Sequence, residues 1–490
     1  MSIPVESFLL DPNGDGTLQQ QIQRVVAEGI LSNHFPAGAR LPSSRKLADH
    51  LGVSRITVTL AYTDLVASDY LIARGRSGYF VSDNAPRNPR FRMAQAEPPS
   101  AVDWTRILGR RYTGHEILSR PANWRSYPYP FIYGQADARL FDHQNWRSCA
   151  LQTLGQRDFD TLMLDTYERD DPKLVEYIQR HILPRRGIRA EVDQILITMG
   201  AQNALWMAAQ LLLTQRRTAV HENPCYPGLR QILDHTRCAT VSADVDRHGL
   251  DPESLPGHVD VVFTTASHQC PTSVTMPLDR RRALLNMASE RGFVIVEDDY
   301  EFEISFSAST TPALKAMDDG GSVIYVGSFS KSLFPGLRLG YVVASEEFIR
   351  EARALRGLVL RHPPGHMQRT AAYFLSLGYY DSQVSRMARA YERRRTEMTA
   401  AMQRHELASH TIGANGGSSF WMRAPDGLDT SRLARDLLSD GVVIEPGRVF
   451  FGVDEDDRRF FRLSYSSIES ARISEGIRLI AERVRESGPR

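Results

Sequence analysis

The feature that most restricts the fold is an alternation that begins near residue 126 and continues towards the C-terminus. Short apolar runs at 194–198, 218–221, 261–264, 293–297 and 323–326 are separated by amphipathic stretches such as 202–213 and 280–291. Runs this short and this evenly apolar are covered on both faces, and the amphipathic stretches supply the cover. The pattern therefore predicts an α/β fold with a mostly parallel central sheet wrapped by helices. A chain of 490 residues is too long for one ordinary core, so further domains are expected. Three zones are read: 1–82, a small helical unit; 83–125, a linker; and 126–490, the α/β domain. The linker reading rests on its Pro and Arg (Pro86, Pro89, Pro98, Pro99, Arg87, Arg90, Arg92, Arg106, Arg110, Arg111) and its weak periodicity.

In the first zone, Ile22, Val25, Val26, Ile30 and Leu31 form a helical apolar stripe, followed by a turn at Pro36-Ala37-Gly38. Ser43 or Ser44 can cap a second helix that ends at Leu51-Gly52, and Ser54 can cap a third that begins at Arg55. Two helices joined by so tight a turn read as a helix-turn-helix, and the basic Arg74-Gly75-Arg76-Ser77 between two short apolar runs reads as a wing. The net charge of +1 leaves nucleic acid open, but its distribution is informative: Arg40, Arg45, Lys46 and Arg55 face one acid, Asp49, within 40–55. Ser54, Arg55 and Thr57, at the start of the third helix, are placed to reach base edges. Arg40, Ser43, Ser44 and Arg45 are placed to hold phosphates, and Arg74 and Arg76 to enter the minor groove. Any one of these arginines alone would be an ordinary solvated side chain; the ordered set is what points to double-stranded DNA.

The third zone carries four signals. Gly327-Ser328-Phe329-Ser330-Lys331 follows an apolar run and leads to Arg338-Leu339-Gly340-Tyr341. A lysine in such a turn can attack an aldehyde if its site lowers its pKa, and Ser328, Ser330 and Arg338 suit a phosphate dianion. Upstream, Glu297-Asp298-Asp299-Tyr300 ends a buried run, so that Asp298 can pair with a protonated pyridine nitrogen and Tyr300 can meet a ring hydroxyl. Gly200, Ala201 and Gln202 form a strand–glycine–helix turn whose amides can cradle phosphate. Tyr226, in Asn223-Pro224-Cys225-Tyr226-Pro227, puts an aromatic where it could stack on a ring. Each signal alone reads as a turn or a cap; together, in this order, they point to pyridoxal 5'-phosphate.

With those motifs in view, residues 17–82 resemble the GntR family of winged-helix regulators, and residues 126–484 resemble the fold-type I aminotransferases. The whole chain resembles the MocR subfamily, in which the two are fused. The resemblance implies that Lys331 is the Schiff-base lysine, Asp298 the pyridinium partner, and Ser328 and Arg338 phosphate ligands. It implies that Arg462, in Phe461-Arg462-Leu463-Ser464, holds the acid group of an amino-acid or amino-sulfonate effector. It also implies a homodimer with one head per subunit, bound to repeated half-sites. One departure stands out: where aminotransferases carry an Asn that touches the ring hydroxyl, this chain has Cys270, in Ser267-His268-Gln269-Cys270-Pro271-Thr272-Ser273. The expectation is a regulator that senses an amino compound through external aldimine formation, with the aminotransferase-like domain as sensor rather than enzyme. The wording is most similar to regulators of taurine use, with GABA, ectoine-derived amines and vitamin B6 as rival ligands. The competing readings are a working aminotransferase and a sensor of pyridoxal phosphate itself.

No apolar run of membrane-spanning length occurs, and residues 1–11 lack a secretion signal. Cys149, Cys225, Cys238 and Cys270 have no C-x-x-C spacing. Neither a metal site nor a disulfide framework is expected, and the chain is expected to be cytoplasmic with no membrane partner.

Overall fold

A computed structural model describes residues 2–11, 14–86, 102–109, 111–113, 118, 120–135, 137–165, 167–304, 311–407, 417–452 and 458–487. The expectations placed on Arg87, Pro89, Arg90, Arg92, Pro98, Pro99 and Arg110 lie outside these residues. The chain packs as two units, Met1–Arg111 and Tyr112–Arg490.

In the first unit, α1 (Leu18–Leu31), α2 (Ser44–Leu51) and α3 (Arg55–Ala67) precede a hairpin of β1 (Leu71–Ala73) and β2 (Tyr79–Val81). Thr17 and Gln20 close α1 with a capping box. Ser43, rather than Ser44, caps α2 by accepting from the Lys46 amide, and Ser54 caps α3 by accepting from that of Thr57. Gly52, at φ +65°, ends α2 in the left-handed conformation that a β-carbon disfavours, and this makes the turn into α3 tight. Ile22, Val26, Leu47, Val58, Tyr62, Leu65 and Val81 form a core of its own. The Tyr62 hydroxyl donates to the Pro42 carbonyl at 3.1 Å, so the buried ring keeps its polar end satisfied.

In the second unit, β3 (Tyr129–Pro130) precedes the central strands β4 (Ile195–Thr198), β5 (Thr218–Asn223), β6 (Ala239–Asp246), β7 (Gly249–Leu250), β8 (Val261–Thr264), β9 (Val294–Asp299), β10 (Val323–Ser328) and β11 (Gly340–Val343). They form one eight-stranded sheet in the order β4-β11-β10-β9-β8-β5-β6-β7. Strands β10, β9, β8, β5 and β6 are mutually parallel, while β11 and β7 run against their neighbours. The expected α/β architecture with a mostly parallel central sheet is therefore present. The strands keep within a few residues of their expected bounds because each apolar run stops where polar side chains begin. A smaller antiparallel sheet joins β12 (Ser419–Arg423), β15 (Phe460–Ser464) and β14 (Glu445–Pro446), and β13 (Val442–Val443) pairs with β3. Among the described residues no helix is long and apolar enough to cross a membrane.

Candidate functional site

The parallel strands of the second unit end together, the place where open α/β sheets bind ligands. Register aligns Val326 with Asp298 and Gly327 with Asp299, so the ends of β9 and β10 lie side by side. Strand alternation then sorts the three consecutive acids of β9. Glu297 accepts the amides of Leu314 and Lys315 at 2.8 and 3.0 Å. Asp299 accepts from Arg186 Nε at 2.6 Å and from the Tyr325 hydroxyl at 2.9 Å. Burial pushes Asp299 upward, but Arg186 and these hydrogen bonds outweigh it and hold the carboxyl below its usual range.

Asp298 points the other way, into a cavity of about 450 Å³. Its Oδ1 is buried and has no hydrogen-bond partner among the described residues. Burial, reinforced by neighbouring Asp299, raises its pKa to about 7. An orphaned carboxyl in a ligand-sized cavity is what a protonated ring nitrogen would satisfy, so the donor set fits pyridoxal phosphate.

The same cavity is lined by Lys331, Tyr300, Tyr226, Ser328, Ser330, Arg338, Ala201 and Gln202, which the sequence singled out. Burial lowers the pKa of Lys331 to about 8, against the pull of Glu301 and with the push of Arg462, so a useful fraction is the neutral, nucleophilic amine near neutral pH. Gly200, at φ +82°, turns β4 into α4 (Ala201–Leu212), and a β-carbon there would stand 2.9 Å from Arg338 Nη2. That close approach brings the guanidinium to the helix N-terminus, where it donates to the Met199 carbonyl at 3.0 Å. The Ser330 amide donates to Ser328 Oγ at 3.2 Å, and the Tyr226 hydroxyl donates to Gln202 Oε1 at 2.5 Å. Tyr300 lies one residue beyond β9, in the following turn rather than in the strand, and still reaches the cavity.

Cys270 lines the cavity too, and burial pushes its thiol up to about 12, so it is a neutral, weak hydrogen-bond donor where aminotransferases carry an amide. The loop around it is held by Gln269, whose Nε2 donates to the Pro224 carbonyl at 2.7 Å, and by buried Glu222, which accepts from the hydroxyls of Thr264 and Thr265, both at 2.6 Å.

Four lining residues carried no signal in the sequence: Arg120, Tyr133, Gly134 and Gln135. Arg120 comes from the stretch read as a linker and the other three from the stretch before the first apolar run at 194–198, so none sits in a periodic segment. Gly134 has φ +73°, and a β-carbon there would stand 2.4 Å from Lys331 Nζ; a periodic pattern cannot report such a contact. Arg462 is close by but does not line the cavity. Its Cζ lies 4.0 Å from the centroid of the Tyr133 ring, and its Nε donates to Glu445 Oε2 at 2.8 Å.

On the first unit, Arg40, Arg45, Arg55, Arg74 and Arg76 are all exposed. Arg55 Nε donates to Ser44 Oγ at 3.4 Å, linking the start of α3 to the start of α2. Ser43 and Ser54 are engaged as caps, and Ser54 Oγ also lies 2.8 Å from Thr57 Oγ1. Arg74 lies over the Phe80 ring at 4.9 Å, beside the Gly75–Ser77 turn at the wing tip.

Two family patterns match the chain: Bacterial regulatory proteins, gntR family, over residues 18–81, and Aminotransferase class I and II over residues 150–480. The HTH-type transcriptional regulator TauR of Rhodobacter capsulatus is 57% identical over 485 residues, 99% of this chain and 100% of that protein. This chain belongs to the MocR subfamily of GntR-type transcription regulators. A more distant relative, the probable rhizopine catabolism regulatory protein MocR of Rhizobium meliloti, is 29% identical, covering 96% of this chain and 94% of that one. Among solved structures, LysN, an α-aminoadipate aminotransferase of Thermus thermophilus complexed with N-(5'-phosphopyridoxyl)-L-leucine, superposes with a TM-score of 0.70 at 26% identity. It covers 79% of this chain and 99% of that one. Members of the subfamily thus join a DNA-reading head to a fold whose aminotransferase members bind pyridoxal phosphate, and this chain is a transcription regulator of that build.

Proposed function

We propose that this regulator carries pyridoxal phosphate and senses a short acid-bearing amine, taurine foremost, in the cofactor cavity, with little or no catalytic turnover. When bound, the cofactor supplies an aldehyde carbon that can exchange the protein's amine for that of a ligand. Lys331 would hold that carbon and Asp298 the ring nitrogen. Tyr300 would meet the ring hydroxyl and Tyr226 the ring face. The amides at Gly200, Ala201 and Gln202, with Ser328, Ser330 and Arg338, would hold the phosphate, and Arg462 the effector's acid group. The observation that carries the cofactor assignment is the buried Asp298 carboxyl, whose Oδ1 has no hydrogen-bond partner among the described residues, in the cavity that Lys331 lines.

The effector's size follows from geometry. Lys331 Nζ and Arg462 Cζ each lie 4.0 Å from the same ring centroid, so they stand at most twice that distance apart. A charge-assisted contact takes up about 3 Å of the interval. What is left suits a short spacer, as in taurine or β-alanine, better than the longer GABA. The TauR relative supports the sulfonate. Cys270 in place of an amide supports a sensor over an enzyme.

Exposed Leu151, Leu154, Phe159, Met163, Leu164, Leu358 and Val359 support a homodimer that covers them and presents two heads to repeated half-sites. The test titrates the cofactor-loaded protein with taurine, β-alanine and GABA, following the cofactor's absorption band and binding to promoter DNA. A spectral shift and altered DNA binding with the two short ligands is expected. Multiple-turnover transamination at about 1 per second or faster would overturn the sensor reading, as would DNA binding that ignores the cofactor and every amine.

A further inference from the structure

Arg462 is buried among two aromatic rings and an acid. The Tyr133 ring, which lines the cavity, touches both cations: Lys331 Nζ and Arg462 Cζ each lie 4.0 Å from its centroid. Phe450 packs on the guanidinium at 4.7 Å. Strand register places Glu445 of β14 directly beside Arg462 of β15, and the two form a buried ion pair at 2.8 Å through Nε. Glu445 Oε1 is also buried and has no hydrogen-bond partner among the described residues. The arginine's charge is thus already balanced and its face already occupied. A ligand anion brought beside this intact pair would meet Glu445's charge in a site with little water to screen it. The ring that touches both cations would also crowd a ligand reaching from one to the other.

We propose that Tyr133 and Glu445 form a latch on Arg462, which an acid-bearing amine opens by displacing the ring and supplying the anion in place of Glu445. This rests on the effector reading given above and adds the element that the effector must move. An amine with a neutral end gains nothing from opening the latch, because only a ligand with different affinities for the two states shifts their balance. The latch is tied to the backbone. Tyr133 follows β3 by three residues, and Phe131 between them donates its amide to the Val443 carbonyl of β13 at 2.8 Å and accepts from the Ser464 amide of β15 at 3.1 Å. Displacing the ring therefore pulls first on the strand pair through which the N-terminal segment of this unit is anchored.

The experiment titrates the cofactor-loaded full chain with taurine and with 2-aminoethanol, which share a spacer and differ in the acid group, and reads the ratio of their affinities. Tyr133→Ala removes the cover and is expected to raise the preference for taurine about ten-fold, roughly 1.4 kcal/mol. Tyr133→Phe keeps the ring and leaves the ratio near the wild-type value. Glu445→Gln removes the competing charge with little change of shape and raises the ratio several-fold. Arg462→Ala abolishes the preference. If Tyr133→Ala and Glu445→Gln leave the ratio unchanged or lower it while Arg462→Ala still abolishes it, the effector reading stands and the latch is wrong, Glu445 then serving only to position Arg462. If Arg462→Ala changes nothing, both fall. A second measurement needs no variant: labelling by an arginine-directed dicarbonyl, mapped by mass spectrometry, should spare Arg462 in the effector-free protein. Ready labelling there would overturn the latch.

Discussion

The two units carry their functional residues in opposite ways. The head displays its arginines on the surface, at helix starts and a wing tip, and the fold beneath them has its own core. The second unit gathers its ionisable groups around a cavity, where burial sets their charge states: Asp298 is pushed up to about 7 and Lys331 down to about 8. A surface reader works by presenting charge to a polyanion, so each of its groups acts almost independently. A buried site works by leaving specific groups unsatisfied until a ligand arrives, so each depends on its neighbours.

The sharpest test of that contrast is Lys331→Ala, an all-or-none change. Borohydride should trap a cofactor adduct on the wild type and none on the variant, while the head still binds DNA. A covalent adduct on the variant would place the lysine elsewhere. When cofactor is added to the cofactor-free wild type, the rate at which trappable adduct forms should climb as pH rises through about 8, because the protonated amine that prevails below that pH cannot attack an aldehyde. A rate that climbs only near the ordinary lysine value would mean that burial does not tune this group.

Next in size is the contrast between neighbouring acids. Asp299→Ala leaves Arg186 buried without its carboxylate and should cost about 3–5 kcal/mol of stability in denaturant unfolding. Asp298→Ala removes a carboxyl whose Oδ1 has no hydrogen-bond partner among the described residues, so it should spare stability and instead weaken cofactor retention by roughly 1.5–3 kcal/mol. Reversed outcomes would exchange the two roles.

Smaller effects belong to the head. Arg55→Ala should lower specific DNA affinity by about 1–3 kcal/mol while nonspecific affinity falls less, as expected of a base contact. Arg74→Ala and Arg76→Ala should weaken binding evenly across sequences, each lowering the slope of affinity against salt by about 1. A uniform loss from Arg55→Ala as well would make it a phosphate contact.

Much of this was legible from residue order because the signals are local. A serine three residues before the amide it caps, a glycine that ends a helix, and a lysine in the turn after an apolar strand are short-range features, and the structure places Ser43, Ser54, Gly52 and Lys331 accordingly. Alternating apolar runs also determined the α/β sheet, since continuous apolar strands need cover on both faces. Tertiary structure alone decided what lies between distant segments. It supplied the partners of two acids of β9, since Arg186, Tyr325 and the 314–315 amides come from elsewhere to satisfy Glu297 and Asp299. It brought Arg120, Tyr133 and Gly134 into the site from a stretch with no periodic signal. And it covered Arg462 with Tyr133 and paired it with Glu445, a register between two strands that sequence spacing does not specify. The reason is physical: caps and periodicity act over a few residues, whereas burial and ion pairing depend on which segments the fold brings together.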